Sequence, residues 1–483
     1  MPIAIPQPIF CFGKYNVSMT AALCLLEHHF RRKAKRMEEQ DIRSKIQAYI
    51  EKNKYDLLED WFELIKQPSV SETGEGISEC CALIMKKMTC IGLNVKKHDV
   101  YPYPAIEGRI GSDPQKKTVL IYAHYDVKPA EPLDKWRTPP FTPTVVDGKV
   151  YGRGSADNKS PLMAHLEAID FWLNELKCLP VNVICLFEGC EESGSLGLPE
   201  FLSKNSEFFK ADLVFFSDGP KDPGGLPIIA LGCKGDLKVT LRAHTMNKNV
   251  HSRYAPVLPN AAWVLVELLN KLKVGDVVNI PGFYDNIREP DPKEFEIYAK
   301  TPDSAKELER LYETHVQTHG REFYDQLNNT PTFNISKFIS GAAGVVPADA
   351  EAVLDIRLVP DQEPDVIFKK IKDRVHSLGY SCVDVINGGG CPPSKTNINT
   401  PWLPVIAKAT EEIYGKYVIY PIRPSSAPDF LWTNVLRLPA IQVRWSDPDS
   451  DNHAPNEHLS IKEYFNGIAL TALVLKRIAE AKI

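Results

Sequence analysis

Apolar and polar positions along the chain follow one pattern before about residue 230 and another pattern after it. In the first part, apolar runs of strand length alternate with stretches in which apolar residues recur every three or four positions, as on one face of a helix. The predicted strands cover residues 118–122, 181–187 and 213–216. A helix is predicted over residues 161–176, with Ser160 at its N-cap and Pro161 at its first position. Strands separated by helices predict a mainly parallel sheet that is covered by helices on both faces.

In the second part the strands are apolar at alternate positions only, as in residues 236–243 and 350–358. Helical patterns cover residues 261–272 and 364–378. Half-polar strands of this kind predict an α+β domain whose sheet has one open face. After the glycines at 388–390 the first pattern returns, with a helix over residues 401–414, a strand over 440–444 and a final helix from Ile461.

This order predicts a discontinuous α/β main domain into which a second, α+β domain is inserted. The main domain would comprise residues 40–232 and 399–483, the inserted domain residues 233–398, and an N-terminal extension residues 1–39. A chain of 483 residues is longer than one compact core usually contains, which agrees with two domains.

The N-terminal extension differs in composition from the rest of the chain. Its apolar stretch at residues 21–26 precedes the basic residues at 31–36, which is the reverse of the order in a secretory signal. We expect the extension to be disordered, or to precede a translation start at Met19 or Met37. A mitochondrial-type presequence is the alternative interpretation, because acidic residues are scarce before Glu38.

The composition is that of an ordinary soluble globular protein, with 43% hydrophobic and 25% charged residues. A formal net charge of −5 gives no reason to expect a nucleic-acid partner. No apolar run approaches the ~20 residues that span a bilayer, so we expect no membrane partner. The eleven cysteines are an odd number and form no CxxC pair, which favours buried reduced thiols and a cytoplasmic protein.

Five apolar segments are each followed by a polar loop that carries residues of the metal-ligand type. These residues are His124 and Asp126, then Asp157, then Glu191 and Glu192, then Asp218, and finally His453. Because the carboxyl ends of strands in an open α/β sheet converge on one crevice, the loops are predicted to meet there. Imidazole and carboxylate ligands suit zinc or manganese, and carboxylates in excess of one ion's needs suggest two ions bridged by one of them. Such charge would stabilise the adjacent Glu191 and Glu192, one as a ligand and the other free to act on a metal-bound water.

Each of these residues also has an ordinary structural explanation when it is taken alone. A histidine after a strand is commonly a hydrogen-bonded loop residue, and an acidic pair is commonly solvated. Asp157 could cap the helix that follows it, and Asp218 could be a turn residue. Their joint placement at successive strand ends favours the metal site.

The longer motifs around these residues resemble those of the M20 metallopeptidases. The matching segments are HYDVKP (124–129), GRGSADNKSP (152–161), FEGCEESGS (187–195), SDGP (217–220) and HAPNE (453–457). The nearest likeness is to the cytosolic nonspecific dipeptidase and carnosinase branch, from about residue 40 to the C-terminus. It implies that the main domain is catalytic and that the inserted domain is a lid and dimerisation domain.

The resemblance also implies a ligand set for two divalent ions, Zn²⁺ or Mn²⁺. Asp157 would bridge the ions, His124 and Asp218 would complete the ligands of one, and Glu192 and His453 those of the other. A cis peptide bond is expected between Asp157 and Asn158.

Three further residues match catalytic positions of the family. Asp126 would hydrogen-bond the His124 imidazole and fix its tautomer. Glu191 would be the general base that takes a proton from the bridging water and delivers it to the leaving amine. His251 would reach across a homodimer into the partner's site, bind the substrate there and stabilise the oxyanion.

The residues matched to substrate binding are Arg357 and Ser426, of which Arg357 would bind the terminal carboxylate of the substrate. The loop at 425–428 departs from the family's usual Gly-Gly-Ser/Thr, and Arg253 stands where glycine often follows the lid histidine. Two activities therefore stay open: hydrolysis of dipeptides or short peptides with a free C-terminal carboxylate, and deacylation of N-acyl amino acids. A catalytically silent scaffold protein is disfavoured, because every expected ligand position is filled.

Overall fold

The computed structural model describes the backbone from Met19 and the side chains from Ile42, in both cases to Ile483. One compact unit ends at Asn53, and the other comprises Lys54–Ile483 and contains both large sheets and the candidate site. The first helix begins at Met19 rather than near Gln40, and the part of the predicted extension before Met19 lies outside the described residues. Disorder of the extension therefore stays a prediction.

The helices and strands of the described chain are numbered in chain order. The α-helices are α1 Met19–Lys66, α2 Ile77–Ile91, α3 Lys159–Asp170, α4 Leu198–Asn205, α5 Ala261–Leu272, α6 Pro292–Tyr298, α7 Ala305–Tyr312, α8 Gly320–Asn329, α9 Pro364–Ser377, α10 Trp402–Tyr414 and α11 Ile461–Glu480. The strands in the first half are β1 Asn94–His98, β2 Ala105–Ile110, β3 Thr118–His124, β4 Thr144–Val146, β5 Lys149–Tyr151, β6 Asn182–Glu188, β7 Leu213–Phe216, β8 Ile228–Ala230, β9 Gly232–Cys233 and β10 Gly235–His244. Those in the second half are β11 Val250–His251, β12 Lys273–Val274, β13 Val277–Val278, β14 Asn334–Ser340, β15 Val345–Val346, β16 Asp349–Leu358, β17 Val383–Cys391, β18 Ser394–Lys395, β19 Val418–Tyr420, β20 Ala440–Arg444 and β21 His458–Ser460.

The main sheet has eight strands in the order β1-β2-β6-β3-β7-β20-β8-β19. Its four central strands, β6, β3, β7 and β20, are parallel to one another, whereas the β1–β2, β2–β6 and β20–β8 pairs are antiparallel. Every residue of β6 and β7 is buried, which explains why these strands are uninterrupted apolar runs in the sequence. The prediction of a mainly parallel sheet is confirmed.

Helices cover both faces of this sheet. Helix α4 packs on one face, where Leu198 and Leu202 join Leu120, Ile184 and Val214 in one apolar cluster. Helices α3, α10 and α11 form the other layer, with α3 against β3 and α11 between α3 and α10. Two buried helical layers leave the ends of the strands as the open part of the sheet, and a site can form there.

A second, antiparallel sheet lies between these parts of the main sheet in sequence, with strand order β14-β16-β10-β17. Helices α5 and α9 pack on one face, where Leu241, Leu265, Leu354 and Ile371 belong to one core. Residues of β10 alternate between buried and partly exposed, so the opposite face is open, as predicted for an inserted α+β domain. The sheet starts at β10 and ends with β17, while the exact domain boundaries stay predictions.

Two local predictions were wrong. Helix α3 begins at Lys159, and the Leu162 amide donates to the Asn158 carbonyl (3.1 Å), so Asn158 rather than Ser160 is the N-cap. The segment before Asp157 is also not a strand of the main sheet, because β5 pairs with β4 and β21 in a small antiparallel sheet.

Among the described helices, none combines the length and apolar character that a bilayer span requires.

Helix α11 approaches the end of β20 through a glycine. A Cβ atom on Gly467 would lie 2.5 Å from Cζ2 of Trp445, a side chain that is only 1% exposed. Trp445 directly follows β20, so this close approach fixes the start of the loop that leads to His453.

Gly467→Ala is therefore expected to lower the melting temperature. A glycine-to-alanine change inside a helix usually stabilises a protein by ~0.5–1 kcal/mol, whereas here overpacking against Trp445 is expected to cost ~1–3 kcal/mol. Thermal unfolding of the variant measures the sign, with Lys462→Ala at an exposed position of the same helix as the control. An unchanged or higher melting temperature would contradict the packing described.

Candidate metal and catalytic site

Three of the predicted ligand loops leave neighbouring strands at the same edge of the main sheet. His124 is the last residue of β3, Glu191 and Glu192 follow the end of β6, and Asp218 follows the end of β7. Because β3 lies between β6 and β7 and runs parallel to both, the three loops meet at the carboxyl end of β3.

The other two ligand loops reach the same place by different routes. Asp157 lies between β5 and α3, and the Asn158 side chain that follows it donates to the Ser217 carbonyl (2.9 Å) at the end of β7. His453 lies in the loop between β20 and β21. The peptide bond between Asp157 and Asn158 is cis, as the resemblance implied.

The five predicted ligands form two groups of donor atoms that share one residue. His124, Asp157 and Asp218 each offer a ligand atom within 4.8 Å of the other two, and so do Asp157, Glu192 and His453. Asp157 Oδ1 lies 3.2 Å from His124 Nε2, and its Oδ2 lies 3.1 Å from His453 Nε2. Glu192 Oε2 is also 3.1 Å from His453 Nε2. The two oxygens of Asp157 thus face different histidines, which is the arrangement of a bridging carboxylate.

Buried negative charge in these groups exceeds what the histidines can balance. Burial raises the pKa of Glu191 well above its usual value, and the nearby carboxylates Glu192 and Asp218 raise it further. Burial and the charge of Asp157 also raise the pKa values of Glu192 and Asp218. Hydrogen bonds to Asp157 and Glu192 raise the pKa of His453 to about 10.

A divalent cation fits this site. His124 Nε2 is buried and has no hydrogen-bond partner among the described residues, although it points toward the Asp157 carboxylate. Nitrogen and oxygen donors without thiolates suit zinc or manganese, and a cation would stabilise the crowded carboxylates.

Asp126 is fully buried and holds the loop that carries the two glutamates. Its Oδ1 accepts the Glu191 amide (3.1 Å) and its Oδ2 accepts the Glu192 amide (2.9 Å). His124 Nδ1 lies 3.4 Å from Oδ1 and 3.1 Å from the Asp126 carbonyl oxygen, which leaves Nε2 directed toward Asp157. The side chain that the sequence predicts to orient His124 therefore also positions Glu191 and Glu192.

Glu191 lies beside the two donor groups and belongs to neither. Its Oε2 is 4.0 Å from His124 Nε2, and within the described chain its carboxylate accepts no hydrogen bond. Lys128, by contrast, contacts Glu192, with its Nζ 3.4 Å from Oε2. The two adjacent glutamates thus have different surroundings.

The two predicted substrate-binding residues contact each other across the two sheets. Arg357 lies on the open face of the second sheet, and its Nη1 donates to Ser426 Oγ (2.7 Å) in the loop before β20. Asp355 Oδ1 lies 3.3 Å from Arg357 Nε.

His251 is exposed in this chain and joins neither donor group. It lies in the short strand β11, which pairs with β15, and its Nδ1 accepts the Arg253 amide (3.1 Å).

Residues 120–477 match the sequence profile of peptidase family M20/M25/M40. The chain belongs to this family. It is 31% identical to a Cys-Gly metallodipeptidase of Candida albicans over 75% of this chain and 79% of that protein. It is 27% identical to a Beta-Ala-His dipeptidase of Mus musculus over 76% of this chain and 78% of that protein. The crystal structure of an M20 family metallo-carboxypeptidase from Sulfolobus solfataricus superposes with a TM-score of 0.81 at 32% identity, covering 88% of this chain and 99% of that one.

This M20 peptidase is thus a hydrolase of peptide bonds, and its family implies divalent metal ions. The same matches confirm the resemblance that its motifs suggested and the fold class with a lid domain.

Glu457 is a residue of the site for which no role was predicted from the sequence. It is fully buried, and its two oxygens accept four hydrogen bonds from the segment that ends in Asp157. Oε1 accepts the amides of Ala156 (2.9 Å) and Asp157 (3.0 Å), and Oε2 accepts the Gly154 amide (2.9 Å) and Arg153 Nη1 (2.8 Å). Its position in the HAPNE motif is the only signal that the sequence carries for this role.

Asn452 is a second such residue. Its Nδ2 donates to Asp157 Oδ2 (3.1 Å), the oxygen that also faces His453. Glu457 and Asn452 together hold the shared carboxylate from the C-terminal side of the chain.

Glu457→Gln is expected to weaken metal binding about 10- to 100-fold, because the amide replaces acceptors that hold the Asp157 loop. Titration of metal-stripped protein with Zn²⁺ or Mn²⁺ measures the affinity, and circular dichroism checks the fold. Glu294→Gln is the matched control, since Glu294 is equally buried and bonded to Lys395 (2.8 Å) but lies in α6. Unchanged metal affinity in Glu457→Gln would contradict the proposed role of Glu457 in holding the segment that ends at Asp157.

Proposed function

We propose that this M20 peptidase is a dinuclear-metal dipeptidase, which hydrolyses dipeptides or short peptides that carry a free C-terminal carboxylate. The observation that carries the proposal is that the Asp157 carboxylate belongs to both donor groups, whereas Glu191 belongs to neither. Relatives named dipeptidase and carboxypeptidase, at 31% and 32% identity, support a substrate with a free carboxyl end.

The two donor groups would each hold one divalent ion, Zn²⁺ or Mn²⁺. His124, Asp157 and Asp218 would bind one, and Asp157, Glu192 and His453 the other. When bound, the ions would supply Lewis-acid polarisation of the scissile carbonyl and lower the pKa of a coordinated water. Asp126 would keep His124 Nε2 directed at its ion through the contacts of Nδ1.

Glu191 would act as the general base and then as the general acid. Its buried carboxylate is free of hydrogen bonds within the described chain and lies 4.0 Å from His124, close to where both donor groups meet. It would take a proton from the attacking water at a carboxylate oxygen and hand it to the nitrogen of the leaving amine.

Arg357 and Ser426 would bind the C-terminal carboxylate of the substrate. A guanidinium presents two parallel N–H groups that match a carboxylate, and the Ser426 hydroxyl already lies within 2.7 Å of Arg357 Nη1. Because Arg357 lies in the second sheet and Ser426 in the loop before β20 of the main sheet, a substrate held by both would also link the second sheet to the metal site.

His251 would serve the site of a second subunit in a homodimer. Strand β14 is an edge strand of the second sheet among the described residues and exposes Ile335, Phe338 and Ile339, and Trp263 and Val266 are exposed on α5, which packs on the same sheet. Such an apolar edge favours association with another copy. From there the partner's His251 would stabilise the oxyanion of the tetrahedral intermediate.

The nine cysteines of the described residues are all free, which supports a cytoplasmic location.

Metal-stripped protein is expected to hydrolyse dipeptides only after Zn²⁺ or Mn²⁺ is restored. Glu191→Gln should lower kcat about 100- to 10,000-fold while metal binding is retained, because it removes the base and no ligand. Hydrolysis is measured on a dipeptide panel and on N-acetyl amino acids in parallel. Cleavage of the acetylated substrates alone would replace the proposal with an N-acyl-amino-acid deacylase, and no cleavage with any metal would favour a scaffold protein.

Mixing two inactive variants tests whether His251 acts across a dimer. Glu191→Gln and His251→Ala homodimers should each be inactive, whereas a mixed dimer has one site with both residues intact. Random exchange of subunits should therefore restore about a quarter of wild-type activity, since half of the dimers are mixed and each has one working site. No recovery after verified exchange would mean that His251 does not act in the partner's site.

A further inference from the structure

Arg444 carries a guanidinium that forms no hydrogen bond and no contact ion pair with any side chain of the described chain. It is the last residue of β20, at the edge of the main sheet where the ligand loops meet. Its Nε is buried without a hydrogen bond, and its side chain forms no ion pair with any described residue. The residue as a whole is partly exposed, so the group is not sealed into the core.

Other arginines buried near the site are paired with carboxylates. Arg423 Nη2 bonds both oxygens of Asp429 at 2.8 Å, and Arg153 bonds Glu457 at 2.8 Å. Arg423 and Arg444 lie close enough for their positive charges to repel each other. Burial and then the charge of Arg423 lower the pKa of Arg444 to about 10. A partly buried cation without a contact ion pair is unfavourable, and an incoming anion would offset part of that cost.

The Arg444 guanidinium lies against the backbone that follows Asp218. A Cβ atom on Gly219 would be 2.5 Å from Arg444 Nη2, and Gly219 has a φ of +85°. The glycine therefore leaves the space that the guanidinium fills. The charge of Arg444 also favours the ionised form of Asp218, which places it within electrostatic reach of the metal ligands.

We propose that Arg444 is a specificity-determining residue that binds an anionic side chain of the substrate, as a second carboxylate site separate from Arg357. The inference rests on the proposed function and names its substrate class: dipeptides or short peptides with an aspartate or glutamate residue. Arg357 already contacts Ser426 and Asp355, whereas the fork of Arg444 is free to pair with a carboxylate. The acidic side chain could belong to either residue of the substrate.

The first test compares Ala-Ala, Glu-Ala and Ala-Glu as substrates of the metal-loaded enzyme. Wild type should prefer either Glu-Ala or Ala-Glu over Ala-Ala. The preferred acidic dipeptide identifies which side of the scissile bond Arg444 faces. Arg444→Met should lower the ratio of kcat/KM for that dipeptide over Ala-Ala by about 10- to 100-fold, with Arg444→Lys in between. Equal losses on all three substrates, or no acidic preference in wild type, would overturn the proposal.

The second test measures thermal stability without substrate. Arg444→Met should keep or raise the melting temperature, because it removes an unpaired buried cation, whereas the matched control Arg423→Met should lower it by breaking a buried ion pair. A fall in Arg444→Met as large as in Arg423→Met would mean that Arg444 is structural.

Titration calorimetry with the three dipeptides in the Glu191→Gln background separates this inference from the proposed function. Tighter binding of the acidic dipeptide, lost on adding Arg444→Met, would support the inference even if wild type hydrolysed no dipeptide. Hydrolysis of Ala-Ala together with equal binding of all three would leave the proposed function intact and overturn the inference alone.

Discussion

Gathering two imidazoles and several carboxylates into one buried space is opposed by both desolvation and charge repulsion. Asp157 offsets part of this cost, because its two oxygens lie 3.2 Å and 3.1 Å from imidazole nitrogens of His124 and His453. Glu192 and Asp218 are each grouped with this shared carboxylate and one histidine. The rest of the architecture keeps these few atoms in place: parallel strands deliver three loops to one point, the segment after β5 brings Asp157, and the C-terminal segment brings His453.

Two other buried carboxylates do structural work of a different kind. Asp126 and Glu457 use both oxygens to accept backbone amides, Asp126 from the Glu191–Glu192 loop and Glu457 from the segment that ends at Asp157. Backbone donors neutralise part of each charge and fix the loop in return. The site therefore contains carboxylates that face the metal positions and carboxylates that hold the loops. Substitution of either kind is expected to weaken metal binding.

The sequence predicts the parts of this arrangement that depend on local pattern. The strands β3, β6 and β7 were found within about two residues of their predicted ends, because a strand buried on both faces must be continuously apolar. The five metal-type residues were found through their placement after such strands and through long motifs. Periodicity could not show that β5 lies outside the main sheet, since its partner β21 is about 300 residues away. The hydrogen bonds between Glu457 and the segment that ends at Asp157 likewise join distant parts of the chain. Local sequence pattern also cannot show that Arg444 lacks an ion-pair partner.

The order of strands in the main sheet has a consequence for how the enzyme comes into being. Strand β20 lies between β7 and β8, although about two thirds of the chain separates it from β3 in sequence, and His453 and Glu457 follow it. A growing polypeptide on the ribosome therefore cannot close the sheet, or complete the donor group that contains His453, until the segment after β8 that carries β20 and His453 has emerged. Nascent chains that lack this segment would lack His453 and Glu457, so we expect peptide hydrolysis to begin only after β20 has joined the sheet.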